Sequence, residues 1–346
     1  MSEGDIFRRR GCRSCNNMEF TPIYFVDDQE IGRCVTCGLI QNTSQHSLNI
    51  INDHYSSKLS ARFNTPDSRF ELGKIIRASR FRARSFRNIT GLANGRVLEV
   101  GSNDGDFLVE LATAGFDVLG VEPSAEACRV SITKGVPVIN ALLEQADLPD
   151  SGFDAICMFQ VLEHFEEPRQ ILELLRQKLK PGGYLMLETP DIYSLGAKFE
   201  KLPHRLFNKE HLTFFSPAQL DRMLDQVGFE PVSKFHYDYD AFRLPFGKSL
   251  KKIVIPIISP GFKGPLDKLL LNEIENRHNS GMETVPSQTE QPSLISRQRA
   301  RDIKKCLSVP LDAALGALAF RMGRGASLVW MGRKRTEKQS RSFDAN

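Results

Sequence analysis

The chain has 346 residues, of which 41% are hydrophobic and 25% charged, and its formal net charge is only +4. That length holds one large α/β domain plus a smaller module, and so small a net charge excludes a whole-chain electrostatic grip on nucleic acid or an anionic membrane. The first ten residues carry no apolar stretch and no run of about 18 apolar residues occurs, so the expectation is a cytoplasmic chain without a leader or a spanning helix.

Four of the seven cysteines form two C-x-x-C pairs, Cys12-Arg13-Ser14-Cys15 and Cys34-Val35-Thr36-Cys37, separated by eighteen residues. Two thiolates in each tight turn, at a spacing known for paired knuckles, predict a closed four-cysteine site for structural Zn2+. Residues 24–26 and 31–33 predict a hairpin between the knuckles, and the zinc-binding module is placed at residues 1–50. From Tyr55 to Arg87 the chain is helical in tendency. Arg62, Arg69, Lys74, Arg77, Arg80, Arg82, Arg84 and Arg87 face only Asp67 and Glu71. This stretch, within 51–94, is read as a basic helical linker with a solvated face, docked through Ile75, Ile76, Phe81 and Phe86. An RNA grip is the competing reading.

Val97-Leu98-Glu99-Val100 predicts a buried parallel strand, and Gly101 and Gly105 let the following turn approach a ligand closely. A helix starting at Asp106 aims its amino terminus at the same place. The spacing is not the dinucleotide fingerprint, and Glu99 at the strand end favours a cationic ligand over a pyrophosphate. Residues 116–122 form a second strand ending in Glu122, 21 residues beyond Gly101, where a carboxylate reaches ribose hydroxyls. Short strands follow at 137–140 and 152–159, the latter leading into Gln160-Val161-Leu162-Glu163-His164. A helix over 171–179, ended by Lys180-Pro181-Gly182-Gly183, precedes a fifth strand at 184–188.

LEVGSNDG, GVEPS, FDAICMFQVLEHFEEP and LKPGGYLMLETPD, in this order, resemble the motifs of class I S-adenosylmethionine-dependent methyltransferases over roughly residues 95–235. The resemblance implies a Rossmann-like, seven-stranded α/β sheet, with S-adenosylmethionine as the cofactor. It also implies contacts from Glu99, Gly101, Asn103, Gly105, Glu122, Pro123, Gln160 and Glu163. Glu99 would hold the amino group and Glu122 the ribose. Asn103 stands where the family often has a second glycine.

Downstream, Glu210-His211-Leu212-Thr213-Phe214-Phe215-Ser216 precedes a helix over 217–227. With a four-cysteine module ahead of such a core, this segment is similar to sugar C-methyltransferases, although Asn208-Lys209 replaces their Tyr-His. A broader group of surface-glycan cluster methyltransferases also carries E-H-L-x-x-F-S, so C- and O-methylation both stay open. The resemblance implies His211 as general base, tuned by Glu210, with His164 as the second candidate. The acceptor is expected to be a small molecule or glycan, such as a nucleotide- or lipid-linked sugar. An RNA methyltransferase and a non-catalytic assembly protein are the alternatives.

The core is placed at 95–239, an insertion or lid at 240–310, a final helix and strand at 311–335, and a disordered tail at 336–346. The apolar run 253–258 beside Lys248, Lys251 and Lys252 packs as a lid or lies on the inner face of the membrane.

Overall fold

The computed structural model describes residues 10–26, 29–44, 68–192, 207, 210–237 and 327–336. The insertion, the tail, residues 55–67 and Asn208-Lys209 lie outside the described residues. The chain parts into two compact units, one of residues 1–193, 202–235 and 327–346, the other of 194–201 and 236–326. The candidate site is built in the first unit.

The described elements, in chain order, are β1 (Phe20–Val26), β2 (Gln29–Cys34), β3 (Ile40–Asn42), α1 (Ser68–Thr90), β4 (Arg96–Val100), α2 (Asp106–Thr113) and β5 (Asp117–Val121). Next come α3 (Ala125–Thr133), β6 (Val138–Ile139), β7 (Phe153–Phe159), α4 (Pro168–Lys178), β8 (Leu179–Pro190), β9 (Thr213–Phe214), α5 (Pro217–Val227), β10 (Phe229–Tyr237) and β11 (Ser327–Lys334).

A seven-stranded sheet runs in the order β10-β11-β8-β7-β4-β5-β6. β4 pairs in parallel with β5 and β7, and β7 in parallel with β8, while β11 inserts antiparallel to β8. This is the expected Rossmann-like sheet. Its strands are continuous apolar runs because both faces are covered: Leu98, Ile156, Leu185 and Met186 have no exposed surface. The chain leaves β4 towards β5 and β6, then returns to β7 on the other side. The switch point therefore lies at the carboxyl ends of β4 and β7, where such sheets bind ligands.

Two boundaries differ from the sequence reading. The helix ends at Lys178, and Lys180-Pro181-Gly182-Gly183 already belongs to β8, in which Leu179 pairs with Phe153. The β7–β8 register jumps from Phe153–Leu179 to Ala155–Tyr184, so residues 180–183 bulge from the ladder, with Gly182 at φ 73°. α5 matches its signals: Ser216 and Gln219 form a reciprocal capping box, Pro217 opens the helix, and Gly228 closes it at φ 93°.

The second sheet has the order β1-β2-β3-β9. β1 and β2 are the expected hairpin. The fourth strand, β9, comes from far along the chain, with Ile40 opposite Phe214 and Gln41 opposite Thr213. Ile31, Ile40 and Phe214 close a small apolar cluster behind it. Cys12, Cys34 and Leu39 share one continuous core with Leu162, Phe215 and Leu220, so the amino-terminal module is packed into the main domain.

Candidate active site

The turn after β4 takes the left-handed backbone at three positions: Gly101 (φ 69°), Asn103 (φ 50°) and Gly105 (φ 78°). A Cβ on Gly101 would stand 2.6 Å from Val161 Cγ2, so only glycine fits between the β4 and β7 turns. Asparagine tolerates the left-handed region better than other side chains, which explains its place at 103. Its Oδ1 is buried without a hydrogen-bond partner. α2 then begins at Asp106, its first N–H groups facing the turn.

Carboxylates ring this turn. Glu99 is 5% exposed, its Oε2 closes no hydrogen bond, and burial raises its pKa well above the ordinary carboxylate range; Arg82 opposes the shift, while Asp104, Glu122 and Asp106 reinforce it. Glu122, just past β5, accepts hydrogen bonds from the Asn103 and Ser124 N–H groups, both at 2.9 Å. Burial raises its pKa as well, against those two bonds. Each Glu122 oxygen keeps a lone pair for a further donor. Pro123 beside it is exposed.

Gln160 follows β7 at φ 57°, and its Nε2 donates to Glu188 Oε1 at 3.0 Å and to Ser327 Oγ at 3.3 Å. Glu163 is 1% exposed and neither of its oxygens closes a hydrogen bond. Burial, reinforced by the Glu188 charge, pushes its carboxyl up to about 8; the Thr189 hydroxyl is near enough to offset this slightly, without hydrogen-bond geometry.

The two histidines, far apart in sequence, meet here. The His164 and His211 rings stand edge to face with centroids 4.9 Å apart. His164 Nδ1 lies 2.8 Å from the Glu210 carbonyl oxygen, which can only accept, so Nδ1 is the donor. Glu210 thus serves His164 through its backbone, a contact the sequence reading did not include. Leu212 N–H donates to Glu163 O at 2.8 Å, closing the two segments on each other. Glu163, His164 and His211 each offer one ligand atom within 4.8 Å of the others, so this trio could also hold a cation.

A family model described as a methyltransferase domain matches residues 74–234. Over 162 residues the chain is 30% identical to the ubiquinone biosynthesis O-methyltransferase of Xanthomonas axonopodis pathovar citri, spanning 42% of this chain and 68% of that protein. The chain belongs to the class I S-adenosylmethionine-dependent methyltransferases. The methyltransferase is also 27% identical over 205 residues to the Bordetella avium enzyme of the same name, covering 53% of this chain and 82% of that one. Among solved structures, the magnesium protoporphyrin IX methyltransferase of Synechocystis matches 54% of this methyltransferase and 92% of its own chain, at 18% identity and a TM-score of 0.45.

The site fits the methyltransferase's donor. S-adenosylmethionine is cationic at sulfur and at its amino group, and a buried carboxylate oxygen without a donor at Glu99 suits a cation rather than a phosphate. Sequence reasoning missed one part of this environment. Arg82 of α1 leaves the solvated face assigned to it and makes a two-pronged ion pair with Glu188, Nε to Oε2 at 2.7 Å and Nη2 to Oε1 at 2.8 Å, with its guanidinium 4.5 Å from the Phe159 ring centre. Arg80, Arg84 and Arg87 do face outward. Only the helical register of Arg82, two residues past exposed Arg80 and beside buried Ala83, separates it from its neighbours.

At the amino-terminal module, the four cysteine sulfurs lie within 4.8 Å of one another, with Cys12 to Cys37 at 3.4 Å and Cys15 to Cys34 at 3.5 Å. A tetrahedron with Zn–S bonds of about 2.3 Å has edges of about 3.8 Å, so the set fits Zn2+ after a few tenths of an ångström of expansion. Cys34 is held at about 7: burial works against ionisation, but N–H groups of Cys37 and Thr36 favour the thiolate that a metal requires.

Proposed function

We propose that this enzyme transfers a methyl group from S-adenosylmethionine to a small-molecule or glycan acceptor, a nucleotide- or lipid-linked sugar, in deoxysugar or surface-polysaccharide biosynthesis. Glu99 holds the donor's amino group, Glu122 its ribose, and the Gly101-to-Gly105 turn lets the backbone approach the methionine moiety. Pro123, Gln160 and Glu163 line the same edge. Zn2+ on Cys12, Cys15, Cys34 and Cys37 is structural.

The observation that carries the reading is the His164–His211 pair beside buried Glu163 at the β4/β7 switch point. Methyl transfer is an in-line displacement at carbon. It requires the acceptor atom collinear with the departing sulfur and relieved of its proton. His211 takes that proton. An imidazole is the side chain suited to proton transfer at neutral pH, and the backbone-anchored His164 ring stands edge-on to it. A hydroxyl gives an O-methyl product; a carbon beside a ketone gives a C-methyl product. The O-methyl branch is favoured by the relatives, whose names place them in ubiquinone biosynthesis as O-methyltransferases.

The test is a panel of sugar nucleotides, lipid-linked glycans, phenolic quinone precursors and RNA offered with methyl-labelled donor. Label in a sugar nucleotide or glycan is the expected result. Label confined to RNA would overturn the reading, and label in the phenolic compounds would move the acceptor class to that of the relatives.

A further inference from the structure

Arg13 lies inside the first knuckle, between two cysteines, yet its side chain is fully buried and points away from them towards the histidine segments. Its guanidinium makes four contacts. Nη1 donates to Asn42 O at 2.7 Å and to Leu212 O at 3.1 Å; Nη2 meets Glu166 Oε2 at 2.9 Å, and Nε meets Glu166 O at 3.2 Å. Leu212 is the residue after His211, and Glu166 lies two beyond His164. One planar fork therefore holds both histidine-bearing segments and the end of β3 at once.

The surrounding bonds point the same way. Arg13 N–H donates to Gln41 Oε1 at 2.8 Å, and Gln41 sits opposite Thr213 in the β3–β9 pair. At the second knuckle the Gly38 carbonyl accepts from Gln219 Nε2, in the first turn of α5. The chain from His211 to Gln219 is thus strapped to both knuckles, while Leu212 N–H and the His164 ring tie it to the β7 turn.

We propose that Arg13 is the positioning residue of the His164–His211 pair, and that the four-cysteine module acts in catalysis by carrying it. The guanidinium fixes the separation of two turns that Leu212 N–H and the Glu210 carbonyl also join. An apolar residue of similar length would fill the space. It would leave the Leu212 and Asn42 carbonyls without the fork that aligns them. Only the kinetic arm of the proposal rests on the proposed role of the histidines towards the acceptor.

The test uses the full chain with 15N-labelled histidine, carrying Arg13→Met or Arg13→Lys. Imidazole signals are assigned through His164→Gln and His211→Gln. Arg10 also pairs with Glu166, at 2.7 Å, so the carboxylate keeps a cation in Arg13→Met and the protein is expected to fold. Arg13→Met should retain its zinc and bind S-adenosylmethionine within about twofold of the parent, while the His164 and His211 signals move and those of the remaining histidines stay in place. Turnover on a labelled acceptor should fall about tenfold at unchanged donor KM, the usual scale for losing a group that orients a reacting one, with partial recovery in Arg13→Lys. Should Arg13→Met lose its zinc, Glu166→Gln replaces it, because that change leaves the knuckle intact. Both imidazole signals unmoved in a zinc-retaining variant would overturn the proposal. Because the NMR readout needs no acceptor, a failure of the acceptor panel leaves it decisive.

Discussion

Glu99 and Glu163 are the residues whose burial most constrains the chemistry. A cation placed against Glu99 stabilises its charged form and reverses the upward shift that burial causes. Binding S-adenosylmethionine should therefore release a proton, and affinity should rise with pH while free Glu99 is still protonated. Calorimetry in two buffers of different ionisation enthalpy reads that proton. Glu99→Gln should weaken binding about 10- to 100-fold, the range for a hydrogen bond to a charged group, and should abolish the pH dependence.

Glu163 gives a stability prediction of definite sign. Its carboxyl titrates near 8 in the folded protein and near the ordinary value of about 4.3 when unfolded. Between those values the native state keeps a proton that the unfolded chain has lost. Stability from this residue is therefore full below about pH 4.3, falls as pH rises, and levels off above about 8. Glu163→Gln removes the slope. In urea titrations it should gain on the order of 2–3 kcal/mol over the parent as pH goes from 5 to 8, within the ceiling of about 1.4 kcal/mol per pH unit for one proton. Parallel curves for the two proteins would show that the carboxyl is not buried as described.

Among the elements, α1 departs furthest from what its sequence says. The seven basic residues of α1 read as a solvated face, and for Arg80, Arg84 and Arg87 that is the outcome. Arg82 is different because Glu188, at the end of β8, is 2% exposed and needs a partner that arrives over Phe159. No pattern in the helix alone reveals an acceptor 106 residues away. Arg82→Met leaves that carboxylate with Gln160 as its described hydrogen-bond donor. It should lower stability by about 2–4 kcal/mol in denaturant titration, since it removes the guanidinium charge from a largely buried ion pair. By contrast, β4, β5, β7 and α5 were legible because apolar runs, end-of-strand glycines and caps are local signals. β3 and β9 carried none. Each is only two or three residues long and is made a strand by the other, from a distant part of the chain. The Pro-Gly-Gly in β8 keeps its turn preference as a bulge inside the strand, because β7 pairs on both sides of it, at Leu179 and Tyr184.

On the scale of the whole molecule, the four-cysteine module is built into the enzyme rather than appended to it. Its third strand pairs with the segment that follows His211, and two of its cysteines lie in the same core as the α5 helix. Slow removal of the proposed zinc with a strong chelator should therefore cost methyl transfer well before it costs donor binding, because Glu99, Glu122 and the Gly101 turn belong to the other sheet. Parallel loss of the two in a chelator time course would contradict this division. That the four cysteines converge was legible from their spacing, whereas the donor-side residues and the two histidines were singled out by the resemblance to methyltransferases. That the two histidines meet was not legible, since the β3–β9 pairing and the Leu212 bond that bring their segments together leave no local signal.

The central claim is that His211 takes the proton from the acceptor. It is tested most directly by single-turnover methyl transfer with His211→Ala on the acceptor that the parent enzyme labels, with donor affinity measured on the same samples. The expected rate is about 100- to 10,000-fold lower, the range for losing a positioned base, with donor affinity within about twofold of the parent. An unchanged single-turnover rate would contradict it.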